Sequence, residues 1–344
     1  MLHARTMLPE PAPGTGAHPD ILTRTLARSS GMDDHSLAAA IAARTMVRVR
    51  PGVYTDAVGW AAAHTEERAR LAASALIAAC RGAPLIFSHE TAAALWGLPL
   101  YRQTIRQVHV AQVKRTARST GPVVRHRMEL DASDILWLTP GIGLTSLART
   151  TFDLVRSLPV EAALCVADAA LRRVSLTEGR VVDRDAADRL LTDLKARVAA
   201  AVGRRGIRQA RWVLPLADPR SESPGETVSR LYLFEAAIPA RDIQCRVPSP
   251  RGGYYEVDFD LGDAWGEFDG AAKYHDASMT QGRTAMEVLE RQQAREDWIR
   301  RVTGKPVVRW TMADLESPAV LAQRLRTAGL AAPGAPAPAA PAPD

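Results

Sequence analysis

From residue 20 to about 330 the chain alternates between two rhythms. Apolar residues three or four apart mark helices with one buried face, and apolar residues at every second position mark strands. The opening stretch ILTRTLARS places Ile21, Leu22 and Leu26 on one helical face. Gly31 breaks that helix. Asp33 or Asp34 caps a second, HSLAAAIAART, with Leu37 and Ile41 turned inward. VRVRPGVYT then alternates Val47, Val49 and Val53 with Arg48 and Arg50 about Pro51-Gly52, which predicts a two-stranded ribbon. Helix, turn, helix, hairpin is the order of a winged helix, and equally of any small helical subdomain with a basic hairpin.

The next 150 or so residues are mixed. The spacing predicts a helix over 65–81 and a short one from Ser88 to Trp96, stopped by Gly97 and Pro99. RQVHVAQVKR and GPVVRHRMEL alternate as strands. Residues 146–173 and 183–211 read as helices, the second carrying Leu190, Leu191, Leu194 and Val198 and broken near Gly203 and Gly206. Beyond residue 220 the order becomes α-β-β-α-β-α: SESPGETVSRLYLFEAAI, RGGYYEVDFDLG, AWGEFDG, TAMEVLERQQAREDWIRRV, KPVVRW and MADLESPAVLAQRLRTAG. That order describes an α/β domain of its own. The two ends, rich in Pro, Ala and Gly, read as disordered tails over 1–19 and 331–344.

Composition narrows the class. A length of 344 residues suits two or three domains, and 47% hydrophobic with 24% charged residues is ordinary for a soluble globular chain. The longest apolar run, LAASALIAAC over 71–80, falls short of a membrane span, and no signal peptide is visible, so a cytoplasmic protein with no membrane association is expected. Cys80, Cys165 and Cys245 lie far apart with no CxxC pair, which supports neither a zinc ribbon nor a redox dithiol. The net charge of +6 modestly favours a polyanionic partner. Residues 101–130 alone hold seven basic groups against one acid, Glu129. That cluster reads either as a solvated face or as a nucleic-acid surface. Only four of the basic residues are lysines.

Most catalytic motifs are missing. His89-Glu90 begins HExxH, but Ala93 stands where the second histidine would be. Gly141-Ile142-Gly143 lacks the third glycine of a dinucleotide fingerprint, and neither a Walker A loop nor a GxSxG elbow occurs.

One acid constellation remains. Asp258 sits in YEVDFDL, and nine residues later Glu267 sits in WGEFDG. Strand periodicity puts Glu256, Asp258 and Asp260 on one face and Glu267 and Asp269 on one face, and a short turn brings Asp258 beside Glu267. Lys273 follows after Gly270. Two carboxylates and an ammonium suit metal-assisted phosphodiester hydrolysis: the carboxylates take Mg²⁺ or Mn²⁺, the ion lowers the pKa of a bound water, and the lysine holds that water or offsets phosphate charge. The same residues admit a structural reading. Ser223-Pro224-Gly225-Glu226 is a capping box, Asp258 and Glu267 can be solvated strand carboxylates, and Arg291, Arg295 and Asp297 can form a salt-bridged helix face.

Residues 220–316 resemble the PD-(D/E)XK nuclease superfamily, in its very-short-patch-repair-like branch. The resemblance rests on ESPGE before a helix, VDF on a strand, EFDGxxK, and a downstream helix and VVRW strand. It implies that Glu226, Asp258 and Glu267 are the acids, with Asp258 and Glu267 as metal ligands, and that Lys273 occupies the branch's histidine position. The superfamily's usual lysine position, two residues after the second acid, is Asp269 here. Residues 20–215 are similar to AbiEi-type antitoxins through VRVRPGVY, SHETAAALWGLPL and LTSLARTTFDL. That likeness implies a DNA-binding winged helix, with Arg44, Arg48 and Arg50 as the candidate phosphate contacts, and a cognate toxin as a possible partner.

The expectation is therefore an α/β protein. A small winged-helix domain (20–60) precedes a mixed α+β middle region (61–215) and a restriction-endonuclease-like α/β domain with a central mixed sheet (216–330). Its expected role is that of a defence or toxin–antitoxin protein with a Mg²⁺- or Mn²⁺-dependent DNA endonuclease domain. The alternatives are a catalytically inert antitoxin or repressor, and a module that neutralises a toxin partner.

Overall fold

The computed structural model describes residues 21–80, 84–112, 121–177, 181–238, 240–270 and 285–330. Both expected tails and Lys273 lie outside the described residues. The fold is mixed α/β with three sheets. The chain divides into two compact units: residues up to 170 together with 188–214, and 171–187 together with residues from 215 onward.

The first unit begins with a three-stranded sheet ordered β1-β3-β2, from β1 (Leu22–Thr23), β2 (Met46–Arg50) and β3 (Val53–Asp56). Between β1 and β2 lie α1 (Arg24–Ser29) and α2 (Asp34–Ala42). The first helix starts later than its apolar spacing predicts, because Leu22 pairs with Tyr54 in the sheet. The Thr23 side chain caps α1 by accepting from the Leu26 amide, and Asp33 caps α2 by accepting from Ser36. Ala27, Leu37 and Tyr54 form the core, whereas Leu26, expected inside, is 54% exposed. Ala27 is the buried residue of this six-residue helix.

The same unit continues through α3 (Ala57–Ala62), α4 (Thr65–Ala79), β4 (Leu85–Phe87), α5 (His89–Trp96), β5 (Val108–Gln112), β6 (Val123–Arg127), β7 (Ile135–Thr139) and β8 (Ile142–Thr145). Strands β4 to β8 form one mixed sheet, ordered β6-β5-β4-β8-β7. β5 runs parallel to β6 and β4 parallel to β8, with antiparallel pairing elsewhere. Phe87, Val108, Val110 and Leu144 from this sheet pack with Leu76 of α4 and Leu95 of α5. Next come α6 (Leu147–Val155), α7 (Val160–Ser175), α8 (Arg184–Ala200) and α9 (Ile207–Val213). The helix expected over 183–211 is thus two helices. The break falls at Gly206, whose φ of +75° and 1.8 Å clearance from the Arg156 carbonyl to a would-be Cβ admit no side chain.

The second unit contains α10 (Pro224–Glu235), β9 (Asp242–Pro248), β10 (Tyr254–Asp260), β11 (Trp265–Asp269), α11 (Ala285–Thr303), β12 (Val307–Thr311) and α12 (Pro318–Thr327). Strand β9 is not apparent in the apolar pattern, since DIQCRVP alternates weakly. The sheet order is β12-β11-β10-β9, antiparallel from β9 to β11 and parallel between β11 and β12. Parallel pairing needs a crossover, which α11 supplies.

Strand β10 changes face midway. Val257 packs with Val247, Trp265 and Ile299, the last from α11. Phe259, two residues on, lies 5.4 Å from the Trp310 ring, and the Trp310 indole donates to Ser229 Oγ of α10 at 2.7 Å. A regular pleat would put 257 and 259 on one side. The pairing of β10 with β9 passes from Val257–Cys245 to Phe259–Ile243 without joining Asp258 to Gln244, whose φ is +54°. The expected common face for Glu256, Asp258 and Asp260 is therefore not formed.

Two glycines set how closely α10 and Trp310 meet the sheet. A Cβ on Gly225 would lie 2.0 Å from the Phe268 ring, and one on Gly266 would lie 2.5 Å from Trp310. Gly225→Ala should therefore destabilise the second unit by about 1–3 kcal/mol, the range for overpacking, measured as a lower urea midpoint at unchanged slope.

Candidate functional site

The basic hairpin of the first unit separates its arginines by burial. Arg44, at φ +56°, and Arg48 are exposed. Arg50 is half-buried after a register shift in the β2–β3 ladder, and its Nη1 is buried without a hydrogen-bond partner among the described residues. Burial lowers its guanidinium pKa. Arg44 and Arg48 thus face solvent, and Arg50 is partly withdrawn from it.

The acids of the second unit come from three elements. Glu226 stands in the first turn of α10 and completes a reciprocal cap. Its amide donates to Ser223 Oγ at 3.2 Å, Ser223 Oγ donates to Glu226 Oε1 at 2.8 Å, and the Glu222 amide donates to Oε2 at 2.8 Å. Gln244 Nε2 adds a fourth contact to Oε2 at 2.8 Å, tying α10 to β9.

Asp258 and Glu267 lie on adjacent antiparallel strands. The paired register, Phe259–Gly266 and Asp260–Trp265, ends one step before them. Where β10 changes face, Asp258 Oδ2 accepts the Phe268 amide at 2.8 Å, so a side chain does what a backbone carbonyl does elsewhere in the ladder.

Glu267 is 5% exposed and meets two guanidinium groups, Arg295 Nη1 of α11 at 2.6 Å and Arg309 Nη2 of β12 at 2.5 Å. Arg309 stands directly beside Glu267 in the parallel register and also reaches Glu296 at 3.4 Å. Arg295 donates to the Glu256 carbonyl at 2.6 Å and lies over the Tyr255 ring. The result is an alternating row of charge, Arg295–Glu267–Arg309–Glu296, across α11, β11 and β12.

A metal ion fits these residues poorly. Glu267 already has two cationic partners, which a divalent ion would have to displace against their own charge. Glu226 spends both oxygens on its cap and on Gln244. Among the described residues no three His, Cys, Asp or Glu side chains are grouped to hold a metal ion. Gln244 and Arg309 join this cluster of acids without having been singled out in the sequence. Arg309 carries a faint signal, as the lone charge in the strand VVRWT. Gln244 carries none, because its position depends on the distortion of β9.

No family model matches the chain. It is 29% identical over 241 residues to "Uncharacterized protein Rv2248" of Mycobacterium tuberculosis strain H37Rv and to "Uncharacterized protein MT2308" of strain CDC 1551. Those residues make up 70% of this chain and 78% of each relative. Neither name states an activity.

Three substitutions separate the structural duties of the acids. Asp258→Ala orphans the Phe268 amide and should cost about 1–3 kcal/mol, whereas Asp258→Asn retains an acceptor oxygen and should cost far less. Glu267→Gln leaves two guanidinium groups facing one another and should cost about 3 kcal/mol. Urea denaturation of the three variants checks both expectations.

Proposed function

We propose that this is a DNA-binding protein of the antitoxin or repressor type, whose C-terminal unit has a nuclease-like arrangement and acts as a binding module. Its N-terminal sheet and two helices would serve as a winged helix that approaches DNA with Arg44 and Arg48. A cognate toxin is the partner that the antitoxin likeness suggests. The observation that carries the non-cleaving reading is the pairing of Glu267 with Arg295 and Arg309, which gives the central acid of the constellation a structural role.

A second reading, Mg²⁺- or Mn²⁺-dependent DNA cleavage, draws support from a different observation. The α-β-β-β-α-β order sets Asp258 and Glu267 on neighbouring antiparallel strands, β10 and β11. In that reading Asp258 and Glu267 are the ligands, Glu226 an assisting acid and Lys273 the catalytic ammonium. Lys273 lies outside the described residues.

Plasmid DNA with Mg²⁺ or Mn²⁺ distinguishes the two. Retarded but uncut plasmid is the expected result. Nicking or linearisation that disappears in Asp258→Asn, which keeps the fold, would establish cleavage instead.

For DNA affinity, each lost phosphate contact lowers the log–log salt slope by about one. Replacing Arg44 and Arg48 with Ala should therefore flatten the slope by about two, while Arg50→Ala should leave it unchanged. Titrations of a labelled duplex at several salt concentrations read this out.

A further inference from the structure

A second constellation lies wholly within the first unit and plays no part in the function proposed above. His89 opens α5, His109 stands on β5 and His126 on β6. The parallel register pairs Ala111 with His126 and His109 with Val124, so the two strand histidines are diagonal neighbours on one sheet face. His109 Nδ1 lies 2.9 Å from His126 Nε2 and 3.0 Å from Glu90 Oε2. The His89 ring stacks on His126 with centroids 3.6 Å apart. His89 also has φ +48°, a left-handed conformation that a side-chain-bearing residue adopts only under constraint from its surroundings.

Beside these rings opens a cleft of about 460 Å³, a size suited to a small molecule. His89 and His126 line it together with Arg127, Arg149, Arg156 and Arg204; its two acids are Glu129 and Asp153. Those acids do not neutralise the cleft equally. The Glu129 side chain is 96% exposed and only 3.9 Å from Arg204, while Asp153 is fully buried against Arg149 at 2.9 Å. Arg149 is itself tied to Asp134, Asp153 and the Glu129 carbonyl and forms a fixed floor. Arg156 is differently placed. Its Nη1 donates to the Arg205 carbonyl, but its buried Nε–H has no hydrogen-bond partner among the described residues, and its ion pair to Asp153 Oδ1, which also lacks a hydrogen bond, is long at 3.7 Å. A buried donor without a partner at the wall of a positively charged cleft is a group prepared for an acceptor that arrives from outside.

We propose that this cleft binds a small phosphate-bearing ligand, its phosphate held by Arg127, Arg156 and Arg204 and the remainder resting on the imidazoles of His89 and His126. Guanidinium forks match phosphate oxygens in geometry and charge. The imidazoles contribute neutral N–H groups and ring faces. Burial pushes His89 down to about 2 and His109 and His126 down to about 4, so at neutral pH the positive charge in the cleft belongs to the arginines. A cation is disfavoured by those same arginines, His109 Nδ1 and His126 Nε2 already face one another at 2.9 Å, and among the described residues no three His, Cys, Asp or Glu side chains are grouped to hold a metal ion.

The test uses the full chain with three probes: inorganic phosphate, pyrophosphate and AMP. At least one, at millimolar concentration, should raise the melting temperature and shift the His89 and His126 imidazole resonances. Phosphate and pyrophosphate acting as well as AMP would identify the phosphoryl group alone as the ligand, and AMP acting more strongly would identify a nucleotide. Arg127→Ala and Arg204→Ala remove exposed side chains and should leave the ligand-free melting temperature unchanged. Each should weaken binding about tenfold, the equivalent of one charge-assisted hydrogen bond. The proposal is overturned if no probe shifts these resonances, if both variants bind as tightly as the parent, or if Zn²⁺ shifts the imidazoles while all three phosphates fail. A duplex that competes with AMP in the parent and is unaffected by Arg127→Ala would likewise move the phosphate site elsewhere.

Discussion

Glu267 can be buried in the C-terminal unit only because two guanidinium groups meet it there. An unpaired carboxylate at 5% exposure would carry a desolvation penalty of several kcal/mol. Arg295 answers it from the crossover helix and Arg309 from the neighbouring parallel strand, so the charge row fixes how α11 and β12 seat against β11. Parallel strands have no tight turn to set their register, and here a side-chain ion pair lies directly across the Glu267–Arg309 step. The apolar contacts of Val257, Trp265 and Ile299 then close around a sheet whose edge order is already specified.

The acids of this unit each carry a structural duty, and that shapes the functional reading. Glu226 caps α10 and receives Gln244, Asp258 replaces a ladder carbonyl where β10 changes face, and Glu267 holds two arginines. A group so engaged is expensive to recruit for metal chemistry, because the ion must offset what it displaces. The arrangement still sets two carboxylate-bearing residues on adjacent strands near a distorted point of a sheet, which is where strands are bent to re-aim side chains. DNA binding without cleavage and metal-dependent cleavage therefore differ in whether those arginines yield.

The first unit distributes its positive charge in a different way. In the basic hairpin, Arg50 is drawn inward and Arg44 and Arg48 are left at the surface. Around the histidine cluster, Arg149 is consumed by buried acids while Arg156 keeps an unused donor. Counting arginines along the chain cannot separate these roles, because each depends on the burial and partners of the individual side chain.

Much of the local structure was legible from residue order. The caps at Asp33 and Ser223 follow from short polar side chains ahead of apolar helical runs, and the Pro51-Gly52 turn from residues that accept its backbone angles. The neighbouring antiparallel strands bearing Asp258 and Glu267 follow from alternation and a short connection. Tertiary structure alone decided the rest. Strand β9 lacks a strong alternation, and Leu22 joined a sheet because Tyr54 was there to pair with it. The face change at Asp258 falls where β9 is distorted at Gln244, across the strand. The partners of Glu267 lie 28 and 42 residues away in sequence, at Arg295 and Arg309. His89, His109 and His126 meet only after β5 and β6 pair in parallel. Periodicity, capping and turn chemistry act between near neighbours and are written in residue order. Ion pairs, stacked rings and clefts form between distant segments, and only packing determines which of them meet.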